Sequence, residues 1–449
     1  MGRLFGTDGA RGIANTELSC ELAMKIGRAA AMVLTENLSH KPKVLIGMDT
    51  RASSHMLCSA ISAGLCSVGA DVLILDVVPT PAVAFLVKEY NYDAGVMISA
   101  SHNPCEYNGI KIFQHNGYKL PDELENEIEE IILDESKIPP VVVGGDVGRI
   151  HFSSSAVDDY IFHLAMTSDG NFKGMKIALD CANGSASVSA RALFTRLGAE
   201  CYIINDTPNG VNINDNCGST HIDSLKNFVL EKKCDIGFAF DGDADRVLIV
   251  DERGELVDGD KIIAICAKYL KQNGQLSNNT AVVTVMSNMG FFKFCEKNGI
   301  NCVKTKVGDR YVLENMVAND YSIGGEQSGH IIFLDHATTG DGQMSAIQVL
   351  NVLKRTGLKI SELADEMEVY PQVLVNVRVS NYGKTRLEKD KEVQLAIKEA
   401  SEELGDEGRV LVRVSGTEPL VRVMLEGQDY EQIKYLADCI AKVVEERLV

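Results

Sequence analysis

The chain has 449 residues, 45% of them hydrophobic and 24% charged, which describes a globular protein too long for one ordinary core. Its net charge of −19 argues against nucleic acid or an anionic membrane as partner, because neutralising phosphates takes basic surface. No apolar run is long enough to cross a bilayer, the first residues hold no apolar leader, and the twelve cysteines form neither a C-x-x-C pair nor a zinc-spaced Cys/His set, so the expectation is a cytoplasmic, thiol-reduced protein.

In chain order, residues 44–47 form an apolar strand, followed by a polar loop, a helix-period stretch, Gly69-Ala70 and a second strand at 71–75. A further apolar strand, 94–98, ends in Ser99-Ala100-Ser101-His102-Asn103-Pro104, which places Ser101 on an exposed turn of small polar residues. Asn108-Gly109 ahead of residues 110–113 reads as a hairpin turn that returns Lys111 to the side of Ser101. The acidic stretch 122–135 reads as a solvated helix face.

The strand, helix, glycine, strand pattern recurs from Lys176 through Gly198-Ala199 to 200–204, and again from residue 281 through Gly299 to 300–304. A period of this length is that of a domain, and each pair should be parallel with a right-handed crossover. Three related α/β domains with mixed sheets are therefore expected, over residues 1–153, 154–255 and 256–369. From residue 370 the order becomes β-α-β-β-α, predicting a C-terminal α+β domain over 370–449. The four would be arranged around a central cleft.

Three later loops carry chemistry. After the strand 236–240 come Asp241, Asp243 and Asp245 at alternate positions, then Arg246. Three clustered carboxylates repel one another unless a cation sits among them, and an oxygen-only set suits a hard divalent ion such as Mg²⁺. An EF-hand is rejected because Arg246 stands where its glycine belongs and 247–250 reads as strand. A haloacid-dehalogenase-type phosphatase motif starting at Asp243 fits less well, because Asp241 is the residue that ends the strand. The loop Gly324-Gly325-Glu326-Gln327-Ser328-Gly329-His330 combines close backbone approach with groups for sugar hydroxyls and a proton carrier. The loop Arg413-Val414-Ser415-Gly416-Thr417-Glu418-Pro419, with Arg422 beyond, reads as a phosphate cradle.

Together with Leu4-Phe5-Gly6-Thr7-Asp8-Gly9-Ala10-Arg11-Gly12, these loops cover the chain in order and resemble the α-D-phosphohexomutases. Gln327 points to the bacterial branch acting on glucosamine phosphates, with mannose or glucose phosphates as the alternative. The resemblance implies a Ser101 phosphorylated in the active form, one Mg²⁺ per subunit on Asp241, Asp243, Asp245 and the Ser101 phosphate, and a glucosamine 1,6-bisphosphate primer and intermediate. It implies catalytic roles for Ser101, His102, Lys111, Arg11 and His330. Substrate contacts would come from Arg246, Glu326, Ser328, Arg413, Ser415, Gly416, Thr417 and Arg422. Lys111 or His330 would take the proton from the attacking hydroxyl. A small phosphosugar is the expected partner, and the resemblance is compatible with a homodimer.

Overall fold

The computed structural model describes residues 4–6, 9–35, 39–134, 137, 140–415 and 418–449. These fall into two compact units, one drawn from residues up to 286 with 300–365, the other from 287–299 with 366–449.

The first unit contains three mixed sheets. Strands β1 (Phe5–Gly6), β2 (Gly9–Ile13), β3 (Lys43–Met48), β4 (Asp71–Val77), β5 (Ala94–Ile98), β6 (Tyr107–Gln114) and β7 (Ile150–Phe152) form a sheet in the order β1-β2-β6-β5-β3-β4-β7. β3 lies parallel to β4 and β5, and β6 returns antiparallel to β5. The central strands are unbroken apolar runs because helices cover both faces. The helix Ala52–Ser67, for example, buries Leu57, Cys58, Ile61 and Leu65 at helical spacing.

The second sheet holds β8 (Lys176–Asp180), β9 (Glu200–Ile204), β10 (Ile236–Phe240), β11 (Val247–Asp251) and β12 (Leu256–Val257), in the order β12-β11-β10-β8-β9. The third holds β13 (Thr280–Thr284), β14 (Asn301–Thr305), β15 (Ile323–Gly325) and β16 (Ile331–Phe333), in the order β14-β13-β15-β16. One placement recurs in all three. A strand parallel to its neighbour ends in a loop, and the next strand returns antiparallel, as in β5/β6, β10/β11 and β15/β16. The serine, aspartate and glycine loops occupy these equivalent positions, at the carboxyl ends of parallel strands, where open α/β sheets bind ligands.

One local expectation fails. Asn108-Gly109 lies inside β6, with Gly109 opposite Arg11 of β2, and the reversal falls between Ile98 and Tyr107. Buried Asn108 donates from Nδ2 to Ser53 and Ser54 Oγ. Those bonds outweigh the turn preference of the dipeptide. Lys111 still lies on β6, opposite Met97.

In the second unit, β17 (Gln372–Arg378), β18 (Gly408–Val414) and β19 (Leu420–Gly427) form an antiparallel sheet in the order β17-β19-β18. The helices Lys391–Leu404 and Tyr430–Leu448 supply Val393, Leu404, Ile433 and Ile440 to its core. The short helix Asn381–Arg386, capped by the Ser380 hydroxyl, has no counterpart in the sequence reading. The helix Met289–Lys297 belongs to this unit although the chain places it between β13 and β14.

Candidate active site

Ser101 is buried, at 1% exposure, and not on the open turn its neighbours suggest. Its backbone is left-handed, with φ +53°, a conformation unfavourable for a residue with a Cβ. Two layers of polar contact hold it there. Ser99 Oγ accepts from the Ser101 N–H (2.9 Å) and donates to Asp49 Oδ2 (2.7 Å). Arg51, also 1% exposed, donates from Nε to Asp49 Oδ2 (2.8 Å), and its terminal nitrogens reach the carbonyls of Ser101 (2.9 Å), Asn103 (2.9 Å), Pro104 and Tyr107 (3.1 Å). Asn214 Nδ2, from the loop after β9, donates to two of the same carbonyls, Ser101 (2.9 Å) and Asn103 (3.1 Å). The Ser101 hydroxyl then donates to Asp241 Oδ2 at 2.6 Å.

Asp241, Asp243 and Asp245 are buried, and each can offer an oxygen within 4.8 Å of the others. Burial, followed by the charges of Asp245 and Asp243, pushes the Asp241 carboxyl well above the usual range. Lys111 Nζ lies 2.8 Å from Asp243 and 3.5 Å from Asp245, and Thr80 Oγ1 donates to Asp243 at 2.6 Å. Asp245 Oδ1 is buried with no hydrogen bond among the described residues. That vacant acceptor and the all-oxygen donor set fit a small hard cation. The Arg246 N–H donates to Asp241 Oδ1 at 3.2 Å. Burial works against the Arg246 charge, but Asp245, Asp241, Glu326 and Asp309 outweigh it and raise its pKa. Gly242 allows the serine and aspartate loops to meet, since a Cβ there would stand 2.5 Å from the Ser101 carbonyl oxygen.

His330 stands just ahead of β16 at 2% exposure, and neither ring nitrogen makes a hydrogen bond among the described residues. Its Nε2 lies 3.5 Å from Asp309 and 3.9 Å from Asp245. The imidazole lies flat against Gly340, where a Cβ would meet three ring atoms at 2.5–2.6 Å. Half-buried Glu326 accepts from the Gly308 N–H at 3.0 Å, and Ser328 is exposed. Gln327 donates from Nε2 to Asp258 Oδ2 at 3.0 Å, and the same carboxylate caps the helix Gly259–Gln272 through the Lys261 N–H. His102 Nδ1 lies 3.4 Å from Ser101 Oγ; burial, then Arg246 and Arg11, push its pKa down to about 4. Arg11 is exposed on β2. The loops of three sheets thus meet through Ser101–Asp241, Lys111–Asp243 and Asp245–His330.

Next to Gly340 in the chain, buried Asp341 accepts from the Tyr160 hydroxyl (2.8 Å) and the Met344 N–H (2.9 Å). Burial raises its carboxyl from 3.8 to about 6. The folded state therefore holds that proton more tightly than the unfolded chain, and stability is lost as pH rises through this window. Asp341→Asn keeps an acceptor for Met344 without the charge. Calorimetry should show Tm higher by about 2–4 °C at pH 7, with the difference gone below the unfolded pKa of 3.8.

In the second unit, Arg413 on β18 faces Arg422 on β19 directly. Burial, then Arg422, lowers the Arg413 pKa. Two guanidinium groups in that register repel and suit an anion between them. Buried Ser415 accepts from the Glu418 N–H, and Lys384 Nζ donates to the Ser415 and Glu418 carbonyls, at 2.6 and 3.0 Å. Gly416 and Thr417, like Thr7 and Asp8, lie outside the described residues. Arg51, Asp49, Asn214, Thr80 and Lys384 escaped the sequence reading, because each sits outside the loop it supports.

Four family models match the chain in order: phosphoglucomutase/phosphomannomutase alpha/beta/alpha domain I over residues 2–139, domain II over 158–254, domain III over 258–370, and the C-terminal domain over 374–443. The chain belongs to the phosphoglucomutase/phosphomannomutase family. Within it, the chain is 57% identical to the phosphoglucosamine mutase of Acetivibrio thermocellus, covering 100% of both, and 56% identical to that of Clostridium novyi, covering 100% of this chain and 99% of the other. The fold matches a phosphoglucomutase/phosphomannomutase family protein of Burkholderia thailandensis, with TM-score 0.84 and 22% identity over 99% of this chain and 98% of that one. It also matches Aspergillus fumigatus N-acetylphosphoglucosamine mutase in complex with GlcNAc-6P and magnesium, with TM-score 0.71 and 20% identity over 99% and 96% of the two chains.

Proposed function

We infer that the chain is an isomerase, an intramolecular phosphotransferase that interconverts D-glucosamine 6-phosphate and α-D-glucosamine 1-phosphate. This chemistry feeds UDP-N-acetylglucosamine synthesis in the cytoplasm. The observation that carries the mechanism is Ser101 Oγ, 2.6 Å from a buried aspartate of a three-carboxylate cluster.

Ser101 holds a phosphoryl group in the resting enzyme. The free sugar hydroxyl attacks it in line, the Ser101 Oγ–P bond breaks as the sugar O–P bond forms, and a 1,6-bisphosphate results. Lys111 or His330 takes the hydroxyl proton, and the unbonded ring nitrogens favour His330. The bisphosphate reorients, and its other phosphate returns to Ser101. Asp241, Asp243, Asp245 and the phosphoserine would hold Mg²⁺, which supplies neutralisation of charge on the transferring group. Arg246 and Lys111 add fixed positive charge, and His102 and Arg11 line the approach. Glu326 and Ser328 bind sugar hydroxyls. Arg413, Ser415, Gly416, Thr417 and Arg422 hold the phosphate that is not reacting.

Substrate choice is tested by kcat/KM on glucosamine, mannose and glucose phosphates. Glucosamine phosphate should lead by about tenfold or more; equal or better turnover of mannose or glucose phosphate would replace this reading with that of a phosphomannomutase or phosphoglucomutase. Gln327→Met removes the amide held by Asp258 and should narrow the preference for the amino sugar while leaving the Mg²⁺ requirement unchanged.

A further inference from the structure

We propose that Arg51 and Asn214 are positioning residues for phosphoryl transfer, a two-sided clamp that decides whether the Ser101 phosphate goes to sugar or to water. The inference rests on the phosphoserine reading above.

Both side chains grip the same two carbonyl oxygens, those of Ser101 and Asn103, from different sheets of the first unit. Arg51 stands at the start of the helix Ala52–Ser67 after β3. Asn214 belongs to the segment after β9 and is itself held by its N–H to the Ala182 carbonyl. Arg51 also reaches the carbonyls of Pro104 and Tyr107, so one guanidinium spans the serine loop from Ser101 to the start of β6. Asp49 completes the arrangement, accepting from Arg51, Ser54 and Ser99. None of these groups bonds to Ser101 Oγ. What they restrain is the left-handed backbone that aims Oγ at Asp241.

In-line transfer depends steeply on sub-ångström placement, whereas attack by mobile water does not need the sugar hydroxyl aligned. A loosened Ser101 should therefore lose transfer faster than it loses hydrolysis. In hydrolysis water oxygen bonds to phosphorus, the Ser101 Oγ–P bond breaks, and a water proton returns to Oγ.

The test uses full-length enzyme labelled on Ser101 from a ³²P-bisphosphate, in the wild type, Arg51→Lys and Asn214→Ala. Mutase turnover and release of inorganic phosphate are measured on the same preparations. Their ratio is independent of the folded fraction, so a merely structural defect leaves it unchanged. Expected are a kcat about 10²-fold lower in Arg51→Lys with KM within about threefold, and a hydrolysis-to-turnover ratio at least about tenfold higher in both variants. An unchanged ratio overturns the clamp, whatever happens to kcat. Should Arg51→Lys fail to fold, Asn214→Ala decides alone, because Arg51 remains in place. A wild type that takes no label on Ser101 would defeat the phosphoserine reading, an outcome distinct from a labelled enzyme with an unchanged ratio.

Discussion

Ser101→Ala is expected to abolish mutase turnover, by at least about 10⁴-fold in kcat, in a protein that still folds and still binds sugar phosphate. The loop keeps its shape because its restraints act on backbone: the Ser101 N–H bonds to Ser99 Oγ, and its carbonyl to Arg51 and Asn214. What disappears is the oxygen proposed to carry phosphorus and the donor to Asp241. Steady-state assays with glucosamine 1,6-bisphosphate present separate this from a priming defect. Substantial turnover under those conditions would refute the phosphoserine mechanism.

Asp243→Asn should cost about 10³-fold in kcat, the order expected when metal-ion charge stabilisation is lost, and raise the Mg²⁺ concentration needed for half-activation. Asp243 also receives Thr80 Oγ1 and Lys111 Nζ, so the substitution removes a negative charge from the centre of the cluster. Mn²⁺ binding followed by electron paramagnetic resonance gives a readout without turnover. The wild type should hold one ion per chain and the variant none at the same free concentration; equal binding would remove Asp243 from the ligand set.

The candidate site was legible in the sequence wherever it lies in consecutive residues. Asp241, Asp243 and Asp245 follow a strand in plain view, and the glycine loop announces His330. The class of each sheet was legible too, because strands separated by a helix pair in parallel, whereas the β-α-β-β-α order after residue 370 leaves neighbouring strands to pair antiparallel. The failures have a common cause. Ser101 reads as exposed because its neighbours are turn formers, yet contacts from residues 49, 51, 214 and 241 bury it. Asn108-Gly109 reads as a turn until Ser53 and Ser54 supply partners for the amide. Arg51 carries no local signal at all, since its meaning lies in carbonyls some fifty positions away. Local propensity cannot anticipate what a distant side chain satisfies.

Gly242 and Gly340 contribute no functional atom, yet each stands where one added carbon would strike the chemistry, the first against the Ser101 carbonyl and the second against the His330 ring. Drift at these positions is therefore closed in a way that drift at the reacting residues is not. A changed aspartate can be answered by another ligand, but a filled gap between two loops leaves no room for an answer. Alanine at either position should damage activity without replacing any group that would handle substrate, and random mutagenesis should recover almost no functional replacements there. The site is bounded as much by the places where nothing is permitted as by the side chains that act.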